Sequence, residues 1–311
     1  MNATYSNEGS NRKFAVVSGG LGYIGKWVIS LLEAQGWEVI CLVRPKVDSE
    51  SLLKGPRVRL IEYDGTIESL SQLKKFPTDR TVFIHLAATS GKTDEIEFSD
   101  LFLKSNIEYG LLLTKLMIEN GFRKFVLAES YWQFDRFGNL LGNSLYAVTK
   151  SAFSLILHYM STRYLNATAL VLYDVYGPDD PRGKFMNFLL NQRPLGPPIP
   201  VTEGNQLVDY IHIEDVARAF LVASESALVK SSHTGYSRHT IRSMRPMTLR
   251  AYVELAVGAM KQFPNVRWGG VPFPEHQIFV PWFPDEGAQL PGWRPIVKFE
   301  DGVRTLINKN V

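Results

Sequence analysis

The first half of the chain alternates short apolar runs with longer amphipathic ones. Lys13 to Ser18, Glu38 to Val43, Val58 to Tyr63, Val82 to Leu86, Lys124 to Ala128 and Ala167 to Tyr173 read as strands. Tyr23 to Ala34, Asp100 to Glu119 and Leu145 to Tyr164 space their apolar residues as helices do. Strands that alternate with helices predict right-handed crossovers and a parallel sheet covered on both faces. The expected fold class is α/β, a doubly wound parallel sheet.

The pattern changes after Tyr176. Gly177-Pro178 and Pro181 break the alternation, and Arg193 to Pro200 holds four prolines. The rest is proline-rich and its elements are shorter. Residues 177–311 are therefore expected to form a smaller, irregular lobe, and residues 13–176 the main domain. Within the lobe, Ile213 to Ala223 reads as a regular helix, and residues 206–227 are expected to pack back on the main domain. Residues 1–12 are polar and read as a flexible tail without a secretory leader.

Composition narrows the classes. The chain has 311 residues, 45% apolar, with a formal charge of +3. Its basic residues are dispersed, so nucleic-acid binding is not suggested. No apolar run has the roughly 18 residues of a membrane span, and a cytoplasmic location is expected. The single cysteine, Cys41, lies in an apolar strand and reads as a core residue. The six histidines lack ligand spacing, so no metal site is expected. No Gly-x-Ser-x-Gly follows a strand, which argues against a serine hydrolase.

Two features carry chemistry. The loop Ser18-Gly19-Gly20-Leu21-Gly22-Tyr23-Ile24-Gly25 follows a strand and opens a helix, as a dinucleotide-binding turn requires. Glycines let the backbone approach a pyrophosphate, and the helix N-terminus attracts its charge. The first domain is thus expected to be a Rossmann-type, NAD(P)-binding unit. The next strand ends Leu42-Val43-Arg44-Pro45, without the carboxylate that would hold a ribose 2′-hydroxyl. Arg44 can pair with a 2′-phosphate, which favours NADP(H) and leaves NAD(H) open. A solvated loop charge is the plain alternative for Arg44. The second feature is Tyr146 and Lys150, four residues apart on one helix face. An ammonium beside a phenol lowers the phenol pKa, giving a proton donor or acceptor for alcohol–ketone interconversion.

These motifs, in this order, resemble the extended short-chain dehydrogenase/reductases, the nucleotide-sugar epimerase/dehydratase group. The resemblance covers nearly the whole chain after the tail. Its further markers are Asp64, His85-Leu86-Ala87-Ala88, Asn106, Ser130, Val175-Tyr176-Gly177-Pro178 and Asp209 to Val216. It implies that Gly19, Gly22, Tyr23, Ile24, Gly25, Leu86, Ala87 and Ala88 line the cofactor with Arg44. Asp64 would meet the adenine amine, unless it merely closes a turn. Asn106 would order the catalytic helix. Tyr146 would protonate a carbonyl oxygen, and Lys150 would lower its pKa and hold the nicotinamide ribose. Ser130 would hydrogen-bond the same oxygen, although a serine there is also placed to cap a turn. His85 reads as a satisfied core histidine, and Glu129 has no assigned role.

Several strings are similar to CDP-abequose and CDP-paratose synthases: Ser130 to Gln133, Asn143 to Lys150, Leu172 to Arg182 and Gln206 to Tyr210. That implies NADPH-dependent reduction of a 4-keto group on a nucleotide-diphosphate deoxysugar. Departures from the wider family matter. The Asp-Glu pair of the 4,6-dehydratases is here Tyr131-Trp132, so dehydration is disfavoured. The arginine that grips the diphosphate in many 4-epimerases is here Val208, and a usual sugar-contacting asparagine is Asp174. Trp132, Asp174, Arg182 and Lys184 are the candidate substrate contacts, with Arg193 a further candidate for the diphosphate. Two alternatives stay open: a 4-epimerase with tightly held NAD, and a catalytically silent NADP-binding sensor. Leu111, Leu112, Leu155 and Ile156 would supply a homodimer face or ordinary core packing.

Overall fold

A computed structural model describes residues 12–45, 55–90, 96–190, 192, 196–229, 234–260, 265–275 and 277–307. The tail up to residue 11 and Arg193 lie outside them. In chain order the first half gives β1 (Phe14–Ser18), α1 (Tyr23–Ala34), β2 (Glu38–Val43), β3 (Val58–Glu62), β4 (Thr81–His85), α2 (Ser99–Leu103), α3 (Tyr109–Glu119), β5 (Lys124–Ser130), α4 (Leu145–Ser161) and β6 (Asn166–Leu172). Then follow β7 (Asp174–Tyr176), α5 (Phe185–Leu190), β8 (Ile199–Pro200), β9 (Leu207–Val208), β10 (Tyr210–His212) and α6 (Ile213–Val229). The chain closes with β11 (Gly235–Ile241), β12 (Met247–Thr248), α7 (Leu249–Ala259), β13 (Val266–Arg267) and α8 (Phe299–Ile307).

Seven strands form one sheet in the order β11-β6-β5-β4-β1-β2-β3. Every pairing in it is parallel. The fold is the expected Rossmann-type doubly wound sheet. Sheet residues alternate between two cores. Val28, Ile29 and Leu32 of α1 pack with Val216, Ala219 and Phe220 of α6 on one face. Leu113, Leu116 and Met117 of α3 pack with Phe153 and Leu157 of α4 on the other. The lobe has its own core, in which Tyr176, Tyr210, Tyr252 and Phe299 pack with Met186 and Leu189.

Two differences from the sequence pattern have physical causes. The chain returns to the main sheet beyond residue 227, because β11 pairs with β6 along its whole length. The string Gly-Tyr-Ser-Arg-His-Thr-Ile lacks the apolar run of a central strand, since an edge strand buries only part of itself. The long helix predicted from Asp100 is divided by a π-helical turn over Lys104–Glu108, which lies between α2 and α3. Such turns insert one residue and often mark functional sites. No helix among the described residues is long and apolar enough to cross a membrane.

Candidate active site

The glycine loop joins β1 to α1 at the carboxyl end of the sheet. Gly19 has φ +74, and a Cβ there would lie 2.5 Å from the Ala87 nitrogen. A Cβ on Gly25 would lie 2.3 Å from the Gly19 oxygen. Both positions exclude a side chain, one by backbone hand and both by space. The N-cap of α1 is Gly22, which offers no side chain to the first helical N–H groups. The first turn also carries no acidic residue. A helix start with free N–H groups and no carboxylate suits a diphosphate. The loop, Tyr23, Ile24 and the Leu86 to Ala88 stretch beyond β4 thus fit a nicotinamide dinucleotide. Arg44 stands exposed just past β2. Asp64 is also exposed, and its Oδ1 accepts from the Thr66 N–H at 2.9 Å and the Thr66 hydroxyl at 2.7 Å. That is the turn-closing arrangement.

Ser130 ends β5, while Tyr146 and Lys150 project from the first turns of α4. That helix is started by Ser144, whose Oγ accepts from the Ala147 N–H at 3.2 Å. Lys150 is buried, and its Nζ lies 6.0 Å from the centroid of the Tyr146 ring. Burial pushes the Tyr146 phenol up to about 12, against a hydrogen bond with Ser130 and the field of Arg182. Helical spacing assigns the pKa-lowering task to Lys150, and Ser130 and Arg182 also oppose the burial. Burial also pushes Lys150 down to about 8, with the Glu129 carboxylate resisting.

Ser130 caps a turn, the plainer of the two roles foreseen for it. Its Oγ accepts from the Trp132 N–H at 3.3 Å, and its own N–H donates to Gln133 Oε1 at 2.8 Å. The cap fixes the hydroxyl that meets the phenol. His85 shares a 2.7 Å hydrogen bond with Ser18 Oγ and is fully enclosed. Burial, then the charge of Lys150, pushes it down to about 3, so it is neutral. Asn106 sits in the π-helical turn. Its Oδ1 accepts from the Thr89 N–H at 2.7 Å, and its Nδ2 donates to Thr149 Oγ1 at 3.0 Å. It ties the loop after β4 to α4 through a side chain beside Lys150.

The substrate candidates divide into two groups. Arg182 pairs with Asp180 through Nε and Nη2, each at 2.7 Å, and its guanidinium carbon lies 4.7 Å from the Tyr23 ring centroid. It therefore reaches from the lobe to the start of α1. Lys184 Nζ lies 5.5 Å from a Trp132 ring centroid. Asp174 accepts from the Tyr131 hydroxyl at 3.3 Å, and its Oδ2 is buried without a hydrogen-bond partner. Burial pushes the Asp174 carboxyl up to about 6, against the pull of Lys184. Val208 is core, packed with Tyr210 and Tyr252.

A family model described as "NAD dependent epimerase/dehydratase family" matches residues 15–234. The chain belongs to that family. Like its members, it is an NAD(P)-dependent enzyme. CDP-abequose synthase of Salmonella typhimurium is 25% identical over 96% of this chain and 98% of its own. Two solved structures are similar. UDP-glucose 4-epimerase of Thermus thermophilus, in complex with NAD, gives a TM-score of 0.77 at 23% identity, covering 95% of this chain and 98% of that one. UDP-N-acetylglucosamine 4-epimerase of Methanobrevibacter ruminantium, in complex with UDP-N-acetylmuramic acid, gives 0.79 at 20% identity, covering 96% and 98%. Both support the fold.

Within this family enzyme, sequence reasoning missed the partners that organise the site. Glu129 is buried against Arg238, at 2.6 Å between Oε2 and Nε. Thr149 carries the link from Asn106. Neither pairing has a local signal, because Arg238 is 109 residues from Glu129 and Thr149 is 43 from Asn106.

Proposed function

We propose that the enzyme uses NADPH to reduce the 4-keto group of a nucleotide-diphosphate deoxysugar. The observation that carries this reading is the Ser130–Tyr146–Lys150 arrangement without a following carboxylate. Tyr131 is stacked on Tyr173 with centroids 5.1 Å apart, and Trp132 faces Lys184. Neither can deliver the acid and base that a dehydration needs. A phenol held near 12 is protonated at neutral pH, the form a reduction consumes. When bound, the nicotinamide supplies the hydride. Tyr146 gives its proton to the carbonyl oxygen, Ser130 donates a hydrogen bond to the growing alkoxide, and the Lys150 ammonium lowers the cost of the phenolate left behind.

The position of Arg44 after β2 supports NADPH. Arg182 and Lys184 provide cations for the diphosphate or the sugar, and Asp174 an acceptor for a sugar hydroxyl. Leu101, Leu103, Leu155 and Tyr159 stay exposed on α2 and α4, which supports pairing of two copies across those helices. The similarity to a CDP-abequose synthase favours a CDP-linked substrate. The test is nicotinamide absorbance with CDP-4-keto-3,6-dideoxyglucose, beside its dTDP counterpart and NADH controls. Stoichiometric NADPH loss is expected. No loss with either sugar, with NAD released on denaturation, would replace the reading with a self-recycling 4-epimerase.

A further inference from the structure

The helix face that carries Tyr146 and Lys150 continues one turn further to Ser154. Ser154 is fully buried, and its hydroxyl belongs to a compact polar cluster. Ser154 Oγ donates to Glu129 Oε1, and Arg238 Nη2 donates to Ser154 Oγ at 3.0 Å. Arg238 holds Glu129 through Nε at 2.6 Å and Nη2 at 3.1 Å. The Tyr236 hydroxyl donates to the same carboxylate at 2.9 Å.

Strand register explains how the groups meet. Tyr236 and Arg238 on β11 stand opposite Ala167 and Ala169 on β6. Those small residues leave room for two long side chains to lean across β6 toward β5. Glu129 stands beside Ser130 at the end of β5. The cluster therefore joins three elements: the strand end that presents Ser130, the helix that presents Tyr146 and Lys150, and the edge strand β11.

We propose that Glu129, held by Arg238 and Tyr236, is a positioning residue for the reaction. It locks the catalytic helix in register with Ser130 through Ser154, and it supplies the negative charge that keeps buried Lys150 an ammonium. The proposal rests on the ketoreductase reading for its catalytic arm. The groups facing Lys150 are Glu129 from β5, His85 from β4 and Tyr146 on its own helix. His85 is neutral and Tyr146 is protonated near neutrality, which leaves Glu129 as the countercharge. An apolar residue at position 129 would leave buried Lys150 and half-buried Arg238 without their shared carboxylate.

Glu129→Gln tests the charge. Its alkaline limit of turnover is expected to fall by about one pH unit or more. A second readout needs neither substrate nor cofactor. The loss of denaturant stability in Glu129→Gln should shrink as pH rises through 8, because deprotonated Lys150 no longer misses the carboxylate. The shrinkage should vanish when both variants also carry Lys150→Met. A loss independent of pH, with or without Lys150, would overturn the charge role. If no sugar is turned over by the natural enzyme, the ketoreductase reading fails while this stability arm still decides. Ser154→Ala tests the register without altering charge, and serves if Glu129→Gln does not fold. We expect kcat to fall about tenfold or more with NADPH affinity unchanged. An unaltered kcat would overturn the positioning role.

Discussion

The candidate cofactor end and the candidate substrate end of the site are built by different means. At the glycine loop the determinants are backbone: a left-handed Gly19, an uncapped helix start, and two glycines that admit no Cβ. At the lobe they are side chains gathered from distant segments: Tyr131 with Asp174, Trp132 with Lys184, Arg182 with Tyr23. Backbone geometry needs few residue types at fixed spacing, so it survives changes of substrate. Side-chain partnerships can be exchanged one at a time. A fixed cofactor end and an adjustable sugar end would follow from that difference, with Asp174 and Val208 at positions where the family resemblance implies asparagine and arginine.

The largest expected effect lies where the two ends meet. Tyr146→Phe should lower turnover about 10³-fold, while NADPH affinity measured by fluorescence stays within a few-fold. If affinity collapsed too, the ends would not be separable. Arg44→Ala should weaken NADPH binding about ten- to a hundredfold and leave NADH binding unchanged; calorimetry with both cofactors decides. Gly19→Ala forces a side chain into left-handed backbone against Ala87. It should cost about 2 kcal/mol or more of stability, seen in denaturant unfolding, with cofactor affinity lost as well.

Asp174→Asn is the gentlest and sharpest of the set. Burial pushes the Asp174 carboxyl from 3.8 up to about 6 in the folded chain. Folding therefore favours its protonated form. The stability it contributes is complete below the unfolded value and is lost as pH rises through 6. Asparagine should raise stability at pH 7 by on the order of 1 kcal/mol, with the gain absent by pH 4. Any change in KM should be confined to the sugar and absent for NADPH. A gain that persisted at pH 4 would show that Asp174 is ionised throughout.

The comparison also explains what the chain disclosed as a string of letters. Strands β1, β2, β4, β5 and β6 follow their apolar runs to within two residues, because each is buried on both faces and is largely apolar. The glycine loop and the Tyr146–Lys150 pair are local patterns, readable from spacing. Edge strand β11 was hidden because it is half polar. The π-helical turn at Asn106 left no mark, since one inserted residue scarcely disturbs a helical period. Glu129 was silent for another reason. A carboxylate beside Ser130 looks the same in sequence whether it faces solvent, substrate or a guanidinium 109 residues away.

That late-arriving strand has a consequence for how the molecule is made. The nucleotide-binding sheet is not a contiguous stretch of gene. A nascent chain that has emerged as far as Tyr176 already holds β1 to β6, yet it exposes the β6 edge and leaves the Glu129 carboxylate unneutralised in a forming core. Both defects are repaired only after the first half of the lobe has been synthesised. The two lobes should therefore melt as one cooperative unit. A fragment cut at residue 176 should behave as an aggregation-prone intermediate, and cofactor binding should require a piece of chain that never touches the cofactor's glycine loop.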